Sequence, residues 1–236
     1  MKLSVALFFA GLFGALAAVF VLLSFGTDYW LLASETCNRD DLRTPEPGEE
    51  RDGVSTTNFY HEGFFWRCSF RGSNVDNSLL FWFTNEPYHK LCMPAYLFPF
   101  PVSQQTHNAT SYDSAIIYRG FWSVFMLIGV VAVVVGGFVI ICAAPFASHC
   151  LYKAGGGLFI TSGVFLLAVV VMFVLWLEVL DVVPLYKDYQ HSLCPDFQLS
   201  IDYGLSFMFA PVGIFFSLLA GLLFLLIGRS VQMQYH

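Results

Sequence analysis

Cysteine is the residue type in this chain with the widest chemistry, because a thiol can form a disulfide, bind a metal ion or carry an acyl group. Six cysteines are spread over 236 residues, and none of them forms a Cys-x-x-Cys pair. Zinc sites usually combine closely spaced Cys and His ligands. The histidines in the same polar segments show no such spacing; they are His61, His89, His107 and His191. The sequence therefore predicts neither a metal site nor a cofactor.

Four cysteines lie in segments that the topology below places outside the cell, where thiols oxidise. They are Cys37, Cys68, Cys92 and Cys194. Four cysteines permit three pairings. A bond between Cys68 and Cys92 is favoured, because each ends an apolar run and a strand-like segment separates them; closing this loop of about 25 residues stabilises a fold by about 3.5 kcal/mol in the chain-entropy model. Cys37 would then pair with Cys194, and the other two pairings stay open.

The remaining residue types offer one modification site and no recognisable catalytic site. The sequon Asn-Ala-Thr at Asn108 is an acceptor for N-glycosylation. Serine, histidine and acidic residues are present, but they form no nucleophile motif and no paired-acid motif. The segments predicted to face the cytoplasm are too short to build an active site. We therefore expect a protein that is not an enzyme.

The cysteines and the sequon are positioned by long uncharged stretches of the chain, which lie between the polar segments. The chain is 57% hydrophobic and only 12% charged, about half the charge of a typical soluble domain. About 20 helical residues cross the hydrocarbon core of a bilayer. We predict transmembrane helices at residues 1–27, 119–144, 155–177 and 204–228, with connecting segments 28–118, 145–154 and 178–203 and a tail, 229–236. The first stretch also resembles a secretory signal, but its apolar run is longer than the usual 7 to 15 or so residues. It is expected to be retained.

The distribution of charge orients these helices. Lys2, Lys153 and Arg229 lie on one side without any acid, whereas all 17 acids lie in the other two segments. The positive-inside rule places the basic side in the cytoplasm. We therefore expect a plasma-membrane protein with both termini inside and an outer charge of −9, from 17 acids and 8 bases when Arg119 at the boundary is counted. This charge argues against nucleic acid as a partner, and leaves membrane lipid and an integral membrane protein as the expected contacts.

Cys142 and Cys150 fall at the cytoplasmic end of the second predicted helix, where thiols stay reduced. Juxtamembrane cysteines are sites of reversible acylation, so both residues are candidates for palmitoylation, and Cys150 is the stronger one. The alternative for Cys142 is a small apolar residue packed within the helix.

The long first outer segment contains the aromatic stretch YHEGFFWRC at residues 60–68. Aromatic and branched residues in short runs, separated by Gly, Asn and Ser, are typical of strands. Residues 38–57 are instead acidic and rich in turn residues, which predicts a mobile insert. A sheet that stands on a membrane must cover one face, so Phe64 and Phe65 are predicted to form a buried layer. Tyr60 and Trp66 are the candidates for contact with a partner.

Several residues resemble the signature of the claudin, PMP-22 and calcium-channel γ-subunit superfamily, which runs Trp, Gly-Leu-Trp-x-x-Cys, Cys and Arg. The matching residues are Trp30, Gly63, Cys68, Cys92 and Arg119. Phe64 and Phe65 stand where the signature has Leu and Trp, and the indole side chain appears at the next residue, Trp66. The resemblance implies an α-helical membrane protein, a four-helix transmembrane bundle with a small disulfide-stapled extracellular β-sheet. Arg119 is expected at the outer membrane boundary, where it can snorkel or pair with an outer acid such as Asp113.

Longer stretches such as HEGFFWRC and SYDSAIIYRGFW resemble a muscle member of this superfamily. That resemblance implies a regulator that associates with β1 integrin and restrains muscle-cell adhesion and differentiation. The alternatives are an auxiliary subunit of a calcium or other ion channel, and a junctional paracellular protein.

Small residues in the first and last helices favour close packing inside the bundle, with a homo-oligomer as the alternative. They are Ala10, Gly14, Ala18, Gly213, Ser217 and Gly221.

Treatment of the cellular protein with peptide N-glycosidase should lower its apparent mass, and Asn108→Gln should remove that shift, because the sequon is predicted to face the lumen during synthesis. Asn77→Gln is the matched control, since Asn77 is followed by Ser-Leu and forms no sequon. Mobility on a denaturing gel measures the apparent mass of the wild-type protein and of both variants, with and without the glycosidase. A mobility that glycosidase leaves unchanged would contradict a glycosylated outer segment.

Overall fold

The computed structural model describes residues 3–37, 57–72, 90–95, 100, 109–180 and 182–234, except for the side chains of residues 109–116. Four helices in these ranges are long and apolar enough to cross a membrane. They are Leu3–Gly26, Ile117–Phe146, His149–Leu193 and Leu205–Gln234. The predicted membrane architecture of four helices is confirmed.

The described elements are, in chain order, α1 (Leu3–Gly26), β1 (Leu31–Thr36), β2 (Thr57–Glu62), β3 (Trp66–Gly72), β4 (Leu91–Pro94), α2 (Ala109–Phe146), α3 (His149–Val174) with a π-helical turn (Leu175–Val179), α4 (Val182–Leu193), β5 (Gln198–Tyr203) and α5 (Leu205–Gln234). Helix α2 begins ten residues before the predicted 119, and α5 continues into the predicted tail. A stretch without charged residues marks only the part of a helix that lies in the hydrocarbon core. The helix can continue through polar residues beyond that core, because it satisfies its own backbone hydrogen-bonding groups.

The strands form one antiparallel sheet in the order β4-β3-β2-β1-β5. Strand β5 comes from the second polar segment, which had been predicted only as a loop, and it pairs with β1 from Leu31↔Tyr203 to Thr36↔Gln198. Disulfides join Cys37 to Cys194 and Cys68 to Cys92, the pairing that the sequence favoured. The disulfide-stapled sheet is therefore confirmed. Residues 38–56 of the predicted insert, the strand-like segment 78–85 and Asn108 lie outside the described residues.

Small residues let the helices approach closely. A Cβ on Gly14 of α1 would lie 3.3 Å from the ring of Phe159 in α3, and one on Gly213 of α5 would lie 3.1 Å from Cγ2 of Val21. A Cβ on Gly221 would lie 2.8 Å from the carbonyl oxygen of Gly156. Small residues on facing helices allow such close approach. These residues therefore face partners within this chain.

Gly156→Ala should lower the melting temperature of the purified protein, because the added methyl would lie 2.9 Å from the carbonyl oxygen of Gly221. Overpacking of this kind costs about 1–3 kcal/mol. Gly157→Ala is the matched control, since a Cβ at Gly157 has nothing within 4 Å. Fluorescence-detected size exclusion after stepwise heating in detergent measures both variants. Equal melting temperatures would contradict the close packing of α3 on α5.

Candidate functional site

A buried carboxylate lies where the sheet meets the bundle. Glu62 is the last residue of β2, and its side chain is buried. The Nε–H of Arg67 donates to Oε2 of Glu62 at 2.7 Å, and the backbone N–H of Phe100 donates to the same oxygen at 3.1 Å. Arg67 stands opposite Glu62 in the register of β2 and β3. The strands thus place an acid and a base side by side where little water reaches them.

Arg119 of α2 approaches this carboxylate from the membrane side. Its terminal nitrogen Nη1 lies 3.9 Å from Oε1 of Glu62, and Nη2 donates to the carbonyl oxygens of Gly63 at 2.8 Å and Phe64 at 3.1 Å. The guanidinium also lies over the ring of Trp122, 4.3 Å from its centroid. Cationic groups over an indole face gain further stabilisation when they are desolvated. Arg119 therefore attaches the sheet to the helix bundle.

Of the two alternatives predicted for Arg119, the structure contradicts snorkelling and agrees with an ion pair to an acid of the polar segments. Its side chain is only 1% exposed, because α2 begins at Ala109 and the sheet lies over this turn of the helix. The acid nearest to Arg119 among the described side chains is Glu62. The side chain of Asp113, the partner named from the sequence, lies outside them.

Two further signature residues complete the junction between sheet and bundle. A Cβ on Gly63 would lie 2.5 Å from Cα of Asp28, so only glycine fits beside that backbone. The indole N–H of Trp30 donates to the carbonyl oxygen of Ser24 at 2.7 Å, at the end of α1. Its ring makes an edge contact with Phe64, with centroids 4.9 Å apart. Trp30, Gly63, Phe64 and Arg119 are thus brought together, although they are far apart in sequence.

The three aromatic residues after Gly63 separate into different environments. Phe64 is 3% exposed, as predicted for a buried layer, but Phe65 is 43% exposed and Trp66 is 47% exposed. The expected burial of Phe65 is therefore wrong. Residues 64 and 65 lie in the bend between β2 and β3, where the alternation of a strand does not apply. We call the exposed pair Phe65 and Trp66 the aromatic patch.

Tyr60, the other contact candidate, belongs to the interior rather than to the aromatic patch. It is partly buried on β2, and its ring centroid lies 6.1 Å from that of Phe100. Burial, and then the neighbouring Glu35 carboxylate, raise the pKa of Tyr60 to about 12. The hydroxyl therefore stays neutral, and its hydrogen bond to Glu35 holds it inside.

The aromatic patch lies beside the end of α1. The ring of Phe65 makes an edge contact with Phe25, with centroids 5.2 Å apart, and Phe25 is in the last turn of α1. Ile117 and Phe121 of α2, on either side of the buried Arg119, are also exposed. The patch thus continues the apolar sides of the bundle upward onto the sheet. A second protein in the same membrane would meet it from the side.

The remaining cysteines lie at the opposite end of the bundle. Cys142 is partly buried in α2, Cys150 is exposed in the first turn of α3, and both are free thiols. Their acylation stays a prediction. Among the described residues, no group of three or more His, Cys, Asp or Glu side chains could hold a metal ion.

Comparisons with known proteins agree with this architecture. The family described as PMP-22/EMP/MP20/Claudin tight junction matches residues 15–226. The chain belongs to this family. It is similar to Transmembrane protein 182 of Danio rerio, with 59% identity over 248 aligned residues and 100% of both chains covered. Proteins of the same name from Gallus gallus and Homo sapiens are 51% and 50% identical, with at least 99% of both chains covered.

Sequence reasoning found Arg119 but missed Glu62, Arg67 and Phe100. A signal for the first two existed: a bend at Gly63 places Glu62 and Arg67 opposite each other, and opposite charges on facing strands attract. No such signal existed for Phe100, because its hydrogen bonds in this cluster are made by its backbone N–H and carbonyl and not by its side chain. The carbonyl oxygen of Phe100 accepts from the indole N–H of Trp176 at 2.9 Å.

Glu62→Gln should sharply reduce delivery of the protein to the cell surface. The change leaves two buried guanidinium groups beside a neutral amide, and removing one partner of a buried ion pair costs about 3–5 kcal/mol. A domain has only about 5–15 kcal/mol of stability. Glu178→Gln makes the same charge change at an exposed residue, so it is the matched control. Surface biotinylation measures both, and equal surface levels would contradict the structural role of Glu62.

Proposed function

We propose that this chain is a non-enzymatic plasma-membrane regulator with both termini in the cytoplasm. It binds an integral membrane partner from the side, β1 integrin, and restrains muscle-cell adhesion and differentiation. The identity of the partner rests on the resemblance to a muscle member of the family. The observation that carries the mode of binding is the aromatic patch: Phe65 and Trp66 are both exposed, and Phe65 lies beside the end of α1.

The position of the aromatic patch supports a lateral contact. A partner in the same bilayer diffuses beside the bundle, and it would meet Phe65 at the height of Phe25. A partner on an opposing cell would reach the far tip of the sheet first, where β1 ends at Thr36. Exposed Trp residues that become buried on binding often dominate the affinity of an interface. Trp66 is therefore the residue expected to contribute most.

The opposite end of the bundle offers little surface for recognition between α2 and α3. Helix α2 ends at Phe146 and α3 begins at His149, so only two residues connect them. The sheet, in contrast, lies outside the four helices that could cross a membrane. Regulation of a receptor by this protein is therefore expected to act through the outer segments.

Trp66→Ala should reach the cell surface normally but recover much less β1 integrin in co-immunoprecipitation from muscle-cell membranes. Loss of an exposed Trp anchor typically costs 2 kcal/mol or more, roughly a thirtyfold weaker affinity. Tyr189→Ala is the matched control, because Tyr189 is an aromatic residue of α4 with a similar exposure of 49%. Phe64→Ala is a contrasting variant and should be retained in the cell, because it empties a site in the buried layer.

Three other results would contradict the proposal. Equal recovery of integrin with Trp66→Ala and the wild-type protein would place the contact elsewhere. Recovery of calcium-channel subunits instead of integrin would favour an auxiliary channel subunit. Retention of Trp66→Ala inside the cell would mean that Trp66 anchors the fold at the membrane interface, where Trp is enriched.

A further inference from the structure

The disulfide between Cys37 and Cys194 differs from the Cys68–Cys92 disulfide in the elements that it joins. Cys37 follows the end of β1, and Cys194 follows the end of α4. No residue of α4 is buried. The partly buried Val182, Val183 and Tyr186 pack against the main core, and all three lie in the first half of α4. The disulfide is therefore a covalent attachment for the C-terminal end of the helix.

Apart from this bond, Tyr186 provides much of the contact between α4 and the sheet. Its hydroxyl donates to Oε1 of Glu35 at 2.7 Å and accepts from Nε2 of Gln190 at 3.1 Å. Its ring lies 5.8 Å from that of Phe100 and 6.3 Å from that of Phe197, centroid to centroid. Elements with few buried contacts open locally at low free energy. Helix α4 is therefore the part of this layer that should separate first.

Strand β5 does not depend on the same bond. It pairs with β1 at six successive positions, from Leu31↔Tyr203 to Thr36↔Gln198. Leu199, Ile201 and Tyr203 also pack against the main core. Breaking the Cys37–Cys194 bond would therefore leave the five-stranded sheet intact while it frees the end of α4.

The Cys68–Cys92 disulfide lies in a different setting. The two residues are direct partners in the register of β3 and β4, with Arg67↔Met93 on one side and Ser69↔Leu91 on the other. After reduction, the flanking strand pairs would keep the two thiols together. Thiols held together in this way reform their bond quickly, because closing the bond needs little loss of chain entropy. The Cys37–Cys194 bond is flanked by a strand pair on one side only: Cys37 follows Thr36, which pairs with Gln198, whereas Cys194 lies four residues before Gln198 and follows a helix.

We propose that Cys37–Cys194 is a redox-controlled latch, whose reduction by an extracellular dithiol releases α4 from the sheet and exposes Tyr186 and Glu35. One thiol of the reductant loses its proton, and the resulting thiolate attacks Sγ of Cys37, which is partly exposed. The buried Cys194 leaves as a thiolate and takes up a proton. The second thiol of the reductant then attacks the mixed disulfide and releases Cys37. The protein disulfide gains two electrons and two protons, and the dithiol becomes a cyclic disulfide.

The test uses the full-length protein in lipid nanodiscs, treated with increasing concentrations of dithiothreitol. Alkylation followed by mass spectrometry measures which cysteines become free. We expect Cys37 and Cys194 to be labelled at a reductant concentration about tenfold lower than Cys68 and Cys92 need. Labelling of Cys68 and Cys92 first, or of all four together, would overturn the proposal.

Hydrogen–deuterium exchange on the same samples measures the release itself. Reduction should speed exchange in residues 182–193 by about tenfold or more, while residues 31–36 and 198–203 keep their protection. Unchanged exchange in residues 182–193, or loss of protection in all three ranges, would overturn the proposal.

Two variants separate the latch from a general loss of folding. The double variant Cys37→Ser, Cys194→Ser should show the fast exchange of α4 without reductant. Tyr186→Phe keeps the disulfide and loses the hydrogen bond to Glu35, so α4 should stay protected until the protein is reduced and then exchange faster than the reduced wild-type helix. If Tyr186→Phe alone frees α4 while the disulfide is intact, the bond is not the latch.

Discussion

The carboxylate of Glu62 lies where the sheet meets the bundle, and burying a carboxylate is costly unless its charge is balanced and its oxygens accept hydrogen bonds. Arg67 supplies one cation from the next strand, and Arg119 supplies the second from α2. Each of these two guanidinium groups also lies against an aromatic ring. This arrangement helps to fix the orientation of the sheet on the membrane helices, because the contacts of the three side chains join β2, β3 and α2.

The aromatic residues around this cluster keep it dry. Trp30 and Phe64 lie between the sheet and the outer ends of α1 and α2, and Phe173 of α3 packs against Trp30 with ring centroids 5.2 Å apart. A low local dielectric strengthens each paired interaction and raises the cost of an unpaired one. Changes to the charged residues and to the aromatic residues are therefore expected to act together. The bend at Gly63 belongs to the same junction, since it turns Phe64 inward and leaves Phe65 and Trp66 outside.

The second polar segment completes the layer. Strand β5 extends the sheet beyond β1 and leads directly into α5, where the backbone N–H of Gly204 donates to the carbonyl oxygen of Trp30 at 3.0 Å. The chain thus returns to the same junction from which β1 departs. Helix α4, on the other hand, has no fully buried residue, and it is attached through the partly buried Val182, Val183 and Tyr186 and through a disulfide. The outer layer therefore combines a rigid sheet with one loosely held helix.

The sequence by itself determined the features that depend on composition and local spacing. Four uncharged stretches sufficed for the membrane helices. A run of aromatic and branched residues indicated strand structure at residues 59–70, which the structure divides at Gly63 into β2 and β3. The cysteine positions led to the correct disulfides. Trp30, Gly63 and Arg119 could be singled out because their types and order resemble a family signature.

Only the tertiary structure decided which side chains face each other. The burial of Arg119 depends on the sheet that lies over its turn of α2, and no local pattern in the sequence reports that contact. Phe64 and Phe65 are identical in type and adjacent in the chain, yet a bend rather than a strand sends one inward and the other outward. Strand β5 was missed although Gln198–Tyr203 alternates polar and apolar residues, which is typical of a strand; what the segment could not report is its partner, β1, which lies about 165 residues earlier.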